Sequence, residues 1–217
     1  MWWTAGRPVI IGGMDIGHAP DPRSVRCTAW IHPPDDPEAL VAQSGVLAVD
    51  VVDRERLHLL AERGMRPEPP AWTMLLWSTP EADLADHPLV LDLPLTRHDG
   101  WGDVNDGPAD AVLMVSLVGR SPEVDHPTFK AHYRDHVAVA RRHHGFAAYR
   151  QNVGRQAVAT GDETGPAAVS EILLASEDAW RDRFYVADDS AEAVAADVAR
   201  FLDRRSTSST IVRRFAP

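Results

Sequence analysis

The chain has 217 residues, 44% apolar, 25% charged and 7% aromatic, with a formal charge of −10. That length holds one large domain or two small ones around a buried core, and ordinary apolar content argues against wholesale disorder. With 32 acidic against 22 basic residues, the chain lacks the clustered positive charge that a phosphate backbone requires, so no nucleic-acid partner is expected.

No apolar run approaches the roughly 18 residues of a bilayer span. Met1-Trp2-Trp3 leads into Gly6, Arg7 and Pro8 rather than a signal-peptide core, so the expected setting is cytoplasmic, without a membrane partner. Cys27 is the only cysteine, which excludes intrachain disulfides and thiolate metal cages. Lys130 is the only lysine and hence the sole candidate for Schiff-base chemistry. The basic run Arg141-Arg142-His143-His144 reads as a solvated helix end.

Residues 1–24, rich in Gly, Pro and Asp, read as an N-terminal arm, with Pro8 to Ile11 able to add an edge strand. Val25 to His32 is a strand, Pro37 to Gln43 a short helix and Val46 to Val52 a second strand. Asp53 can cap a helix through Arg63, stopped by Gly64. Trp72 to Trp77 is a strand, Pro80 to Asp86 a short helix, and Leu89 to Thr96 closes this first set, residues 25–96. The turn formers of 97–110 predict a linker; their acidic spacing does not match a calcium loop.

In the second set, residues 111–217, Ala111 to Val118 is a strand, and Asp125 or Thr128 caps a helix to His143, ended by Gly145. Phe146 to Val153 and Ala168 to Ala175 are strands joined by a Gly-rich hairpin. Ser176 caps a helix holding Trp180 and Phe184, and Asp189 with Glu192 resembles a capping box. Ala191, Val194, Val198, Phe201 and Leu202 share one face of the helix that follows, and Ser209 to Phe215 is the last strand.

Both sets read β-α-β-β-α-β, and a faint internal echo supports the pairing. Ser44-Gly45-Val46-Leu47-Ala48-Val49 parallels His144-Gly145-Phe146-Ala147-Ala148-Tyr149, and Leu75-Leu76-Trp77-Ser78 parallels Leu173-Leu174-Ala175-Ser176. The expected fold class is α+β: tandem ferredoxin-like plaits forming an intrachain α/β barrel. Such a chain would be a monomer with an internal pseudo-dimer, or a homodimer.

The second half resembles the EthD family of the dimeric α/β-barrel superfamily. The likeness is carried by Phe129-Lys130-Ala131-His132-Tyr133-Arg134-Asp135-His136, Gly145, the strand with Tyr149 and Asn152, Glu171, and Asp197, Phe201 and Asp203. The first half lacks a comparable histidine-bearing helix and reads as a degenerate copy supplying the other barrel wall. The resemblance implies chemistry on small polyketide-like or aromatic molecules: cyclisation, dehydration, decarboxylation or monooxygenation.

His132 and His136, four apart, fall on one helix face with Phe129 and Ala140, so the imidazoles are expected to point toward the barrel or its mouth. Such a pair can bind a metal only with a third ligand, for which Glu171 is the one candidate, and no metal is expected. Alternation puts Glu171 with Val169 and Leu173, opposite Ser170 and Ile172. An apolar face there would raise its pKa for acid–base work, whereas Arg150 or Arg134 across the sheet would make it an ordinary ion pair. Tyr149, expected on the opposite side of its strand from Phe146, can donate a hydrogen bond to a ligand oxygen.

The candidate catalytic set is therefore His136, His132, Tyr133, Glu171 and Tyr149. Candidate substrate contacts are Phe129, Phe146, Asn152, Trp72, Trp77 and Trp180, although core packing is the first explanation for the tryptophans. Dinucleotide, P-loop and nucleophile-elbow motifs are missing. The leading expectation is a cofactor-independent enzyme in which His136 abstracts a proton beside a carbonyl, Tyr133 or Tyr149 holds the enolate and Glu171 is the proton partner. Two alternatives stand beside it: a non-catalytic ligand-binding or accessory protein, and a haem-dependent or cofactor-free monooxygenase.

Overall fold

Period-two alternation of apolar residues builds eight strands in a computed structural model that describes residues 23–31, 36–83, 89–155 and 165–217. In chain order they are β1 (Ser24–Trp30), β2 (Val46–Val52), β3 (Met74–Ser78), β4 (Leu89–Trp101), β5 (Val112–Val118), β6 (Ala148–Gly154), β7 (Ala168–Leu174) and β8 (Ser208–Phe215). Five helices lie between them: α1 (Pro37–Val41), α2 (His58–Ala61), α3 (His126–His143), α4 (Glu177–Asp182) and α5 (Ser190–Val198). The arm at 1–22, with its possible edge strand, and His32 lie outside the described residues. None of the described helices is long and apolar enough to cross a membrane.

The strands close into a barrel in the order β1-β3-β2-β8-β5-β7-β6-β4. Every pairing is antiparallel. Read from the seams, each half has the same internal order: β4-β1-β3-β2 in the first and β8-β5-β7-β6 in the second. The seams are β2 against β8 and β4 against β6. Closure leaves no free sheet edge.

One face of every strand therefore points into a lumen and the other points outward. Cys27, Leu75, Trp77, Val115, Val169 and Leu95 pack the lumen and are buried. Outside, Trp30, Leu40, Val49 and Met74 pack around α1, while Phe129, Tyr133, Val153 and Phe201 pack around α3.

Several elements differ from the sequence expectation, each for a local reason. The polar run at 97–101 is strand rather than linker, because Arg97, His98 and Asp99 pair with Asn152, Gln151 and Arg150 of β6. Tertiary pairing overrides turn propensity there. β4 ends where Gly102 takes φ +64° and passes so close to Ala147 that a Cβ would lie 2.5 Å from its carbonyl oxygen. The helix expected over 53–63 is only the four-residue α2, since the Asp53 backbone N–H is bonded to Ile211 and its carboxylate caps nothing. At the start of the next expected helix, Pro80 and Glu81 form a turn, and 84–88 lie outside the described residues.

In the second half, Phe184 lies just beyond α4, and Phe201 and Leu202 lie beyond α5. The Asp189 side chain makes no cap bond, so the capping box does not form. Gly145 follows α3 for a reason other than a left-handed turn: a Cβ there would lie 2.6 Å from the Arg183 carbonyl oxygen.

Candidate active site

Asp125 opens α3 by accepting a hydrogen bond from the Thr128 backbone N–H at 2.8 Å, with Pro127 in the first turn. The helix then buries Phe129, Tyr133, His136 and Ala140 at helical spacing against the outer face of the second-half sheet. His132 stands about 100° round the helix from Tyr133, at the edge of this stripe. It is half-buried, stacks on Phe201 and accepts from the Arg200 guanidinium at 3.4 Å. The imidazole of His136 thus faces the space between helices and sheet rather than the barrel lumen.

That space is a cleft of about 670 Å³. Its inner end is formed by Tyr133, His136, His144, Phe146, Tyr149 and Phe201, over a floor that includes Ser170 and Ile172 of β7. Phe146 and Tyr149 both border it, with ring centroids 6.4 Å apart. Strand alternation does not separate them, because Phe146 precedes β6.

His136 is the hub. Its Nδ1 lies 2.8 Å from the Asp197 carboxylate of α5, and its ring meets Tyr149 edge-on at 6.4 Å. A carboxylate only accepts, so Nδ1 carries the proton and the lone pair of the neutral ring sits at Nε2. Asp197 is also 3.5 Å from Arg200. Aspartate, histidine and an open ring nitrogen form the arrangement by which a base is oriented for proton transfer.

The two tyrosines remain protonated donors at neutral pH. Burial pushes Tyr149 up to about 12, and burial followed by the neighbouring Tyr149 pushes Tyr133 well above its ordinary value. The Tyr149 hydroxyl accepts from the Gln151 amide at 3.0 Å, which leaves its own proton for another partner. The buried Tyr133 hydroxyl lies against the hydroxyls of Ser170 and Tyr149, close enough for both to act on its pKa, but in a geometry that completes no well-formed hydrogen bond. His144 donates from Nδ1 to the Phe184 carbonyl at 2.6 Å and stacks on Phe146 at 4.1 Å. Burial lowers its pKa to about 4, so it is neutral in the working range.

The remaining expected site residues lie elsewhere. Glu171 and Asn152 face the lumen, on the other side of the sheet from His136. Asn152 donates to Glu171 at 2.7 Å, and Arg214 meets the same carboxylate at 2.5 Å with Arg150 at 3.7 Å. Desolvation would raise the Glu171 pKa, but Arg214 and Arg150 outweigh it and the pKa is lowered, opposite to the acid–base expectation. Trp77 donates to Asp50 at 2.7 Å in the lumen, Trp180 donates to the Leu59 carbonyl at 2.9 Å, and Trp72 is packed in the core. Phe129 packs behind Tyr133 and Phe201 without bordering the cleft.

With Glu171 across the sheet, the His132–His136 pair has no third ligand. Among the described residues, no cluster of three or more His, Cys, Asp or Glu could hold a metal ion.

Two residues at the cleft were assigned no chemistry from the sequence, although Asp197 is among those that carry the family resemblance. Asp197 is an acid beside Val194 and Val198 on the apolar face of α5, where a lone carboxylate signals a buried partner. His144 continues the stripe 129, 133, 136, 140 by one more turn, a periodicity masked by the basic run before it.

Comparison with known proteins bears out the resemblance for one segment: the family profile described as the EthD domain matches residues 121–205. That segment contains α3, β6, β7, α4 and α5, and hence both members of the His136–Asp197 pair. No curated protein matches the chain. A solved structure from Lactobacillus acidophilus NCFM, described as a candidate monooxygenase, is similar with a TM-score of 0.41 and 9% identity. The alignment covers 88% of this chain and 92% of that one.

Proposed function

We propose that the chain is a cofactor-independent acid–base enzyme that takes a proton from the carbon beside a carbonyl of a small, largely apolar molecule. The observation that carries this reading is the 2.8 Å His136–Asp197 contact at the inner end of an aromatic cleft. Nε2 of His136 accepts the proton, Asp197 holds the imidazolium that results, and Tyr149 or Tyr133 donates to the enolate oxygen. The proton returns to carbon or, where the substrate carries a β-hydroxyl or a second carbonyl, the enolate eliminates water or closes a ring. Those outcomes correspond to the dehydratase and cyclase chemistry of secondary metabolism.

The shared strand order of the two halves supports reading the barrel as tandem ferredoxin-like plaits, divided between the end of β4 at Trp101 and the start of β5 at Val112. In that reading the first half is a degenerate copy whose short helices leave one functional cleft in a monomeric pseudo-dimer.

The test uses 2-tetralone in D2O, following loss of its α-proton signals by NMR. The wild-type chain should accelerate exchange over buffer, and His136→Gln should abolish the acceleration with the circular dichroism spectrum unchanged. Asp197→Asn, which allows the wrong tautomer, should lower the rate by about 10²–10³-fold. Exchange at the wild-type rate in His136→Gln would overturn the proposal. Retained 2-tetralone binding with no His136-dependent exchange would favour a ligand-binding protein.

A further inference from the structure

The cleft changes character along its length. Beyond the Tyr133–His136–Tyr149 cluster it is also bordered by two loops, residues 63–70 of the first half and 204–207 ahead of β8. They bring Arg63, Arg66, Arg204 and Arg205 to the cavity against one carboxylate, Glu68. Four arginines thus border one cleft, with Arg66, Arg204 and Arg205 exposed, in a chain whose net charge is −10. Among the described residues, Arg66 and Arg204 have no ion-pair partner, and Arg205 has only the longer-range attraction of Asp203. Arg63 donates to the Trp180 and Arg181 carbonyls and lies over the Phe184 ring, yet its buried Nε has no acceptor.

The 204–207 loop is held in place before any ligand arrives. The Asp203 carboxylate accepts from the Arg205 backbone N–H at 3.0 Å and from the Ser206 hydroxyl at 2.8 Å. Thr207 accepts from the Gly119 N–H at 2.9 Å and donates to the Asp203 carbonyl at 2.7 Å. A Cβ on Gly119 would collide with Ser206, so β5 and the loop touch backbone to side chain. Unpaired guanidiniums on a fixed loop at a cavity edge are complementary to an oxyanion.

We propose that the ligand is an amphiphile, with a planar apolar body in the aromatic end and an anionic carboxylate or phosphate group at the Arg66–Arg204–Arg205 end. The proposal rests on the reading of the cleft as a small-molecule site and adds the chemical class and orientation of its occupant. An anion at the arginine end fixes which carbon of the apolar body meets His136.

Three naphthalene probes test it by calorimetric titration of the full chain: 2-naphthoate, 2-naphthyl phosphate and the neutral methyl 2-naphthoate. The anionic probes should bind about tenfold or more tightly than the ester, the effect of one charge-assisted hydrogen bond, and lose that advantage in 0.5 M salt. An Arg204→Gln/Arg205→Gln variant should collapse the anion-to-ester ratio toward one, and Arg66→Gln should reduce it in part. A preference for phosphate over carboxylate, or the reverse, identifies the group. Equal affinity for ester and anions in the wild type, no binding of either anion, or equal weakening of all three probes by the arginine substitutions would overturn the proposal. The ratio is read from binding alone, so it stands or falls independently of proton exchange at His136.

Discussion

Ser170 and Ile172 of β7 face the cleft, whereas Val169, Glu171 and Leu173 face the lumen, so one seven-residue strand borders two environments. On the lumen side the carboxylates are enclosed and ion-paired. Arg214 grips Asp50 with two 2.7 Å hydrogen bonds and reaches Glu171, while Trp77 and Asn152 complete the carboxylates' partners. On the cleft side, polar groups are left open. The Tyr133 hydroxyl and Arg63 Nε are buried without a well-formed hydrogen bond, and the base nitrogen of His136 is outside its bond to Asp197. A buried ion-paired charge is architecture, whereas a buried polar group without a partner at the wall of a cleft is open to a ligand.

Breaking the lumen network gives the largest expected effect. Arg214→Met strands Asp50 and Glu171 side by side in a dry interior and should cost about 3–5 kcal/mol, measured by urea unfolding. Adding Asp50→Asn and Glu171→Gln to the same chain should restore much of the loss, because neutral partners no longer need the guanidinium. Since the Glu171 pKa is lowered from 4.5 by these arginines, its contribution is present above that pH and disappears as acid protonates the folded carboxylate. If Arg214→Met unfolds no more easily than the wild type, the lumen network is not the brace described here.

The same contrast explains what could be read from the chain. Strand positions and α3 were legible because alternation, the Asp125 cap and the Phe129–Ala140 stripe are local signals. Alternation also placed Glu171 opposite Ser170, but no local rule says which side of a closed barrel holds a ligand. Its partner Arg214 lies 43 positions away in the chain, and only barrel closure brings the two together. Asp197 is separated from His136 by 61 residues, and its pairing depends on α5 packing beside α3. The run at 97–101 looked like a linker for the converse reason: its strand partner β6 is about fifty residues downstream.

On the cleft side, His144 supplies the middle-sized effect. In the unfolded chain it titrates near 6.5, whereas in the folded chain burial holds it to about 4. Above pH 6.5 both states are neutral there and its packing contribution is complete. As pH falls from 6.5 toward 4 the unfolded chain takes up a proton that the folded chain refuses, removing up to about 3 kcal/mol. His144→Gln should flatten that segment of the stability–pH curve, followed by urea midpoints at half-unit steps. An unchanged slope would mean that the ring is not held neutral by its burial in the aromatic stack, against the opposing pull of the Phe184 carbonyl.

The smallest effect is the most discriminating, because it should move stability and binding in opposite directions. The Tyr133 hydroxyl is buried at the cleft beside Ser170 and Tyr149 with no well-formed hydrogen bond, so the free protein already bears part of the cost of its desolvation. Tyr133→Phe keeps the ring that stacks on Phe129 at 5.3 Å and removes only that oxygen. The variant should be as stable as the wild type or more so, by about 1 kcal/mol, in contrast to any truncation among the lumen charges. If the hydroxyl is reserved for a ligand oxygen, binding of 2-tetralone should weaken by roughly tenfold in the same variant. A loss of stability with unchanged binding would show the hydroxyl to be structural, and would move the enolate donor to Tyr149 alone.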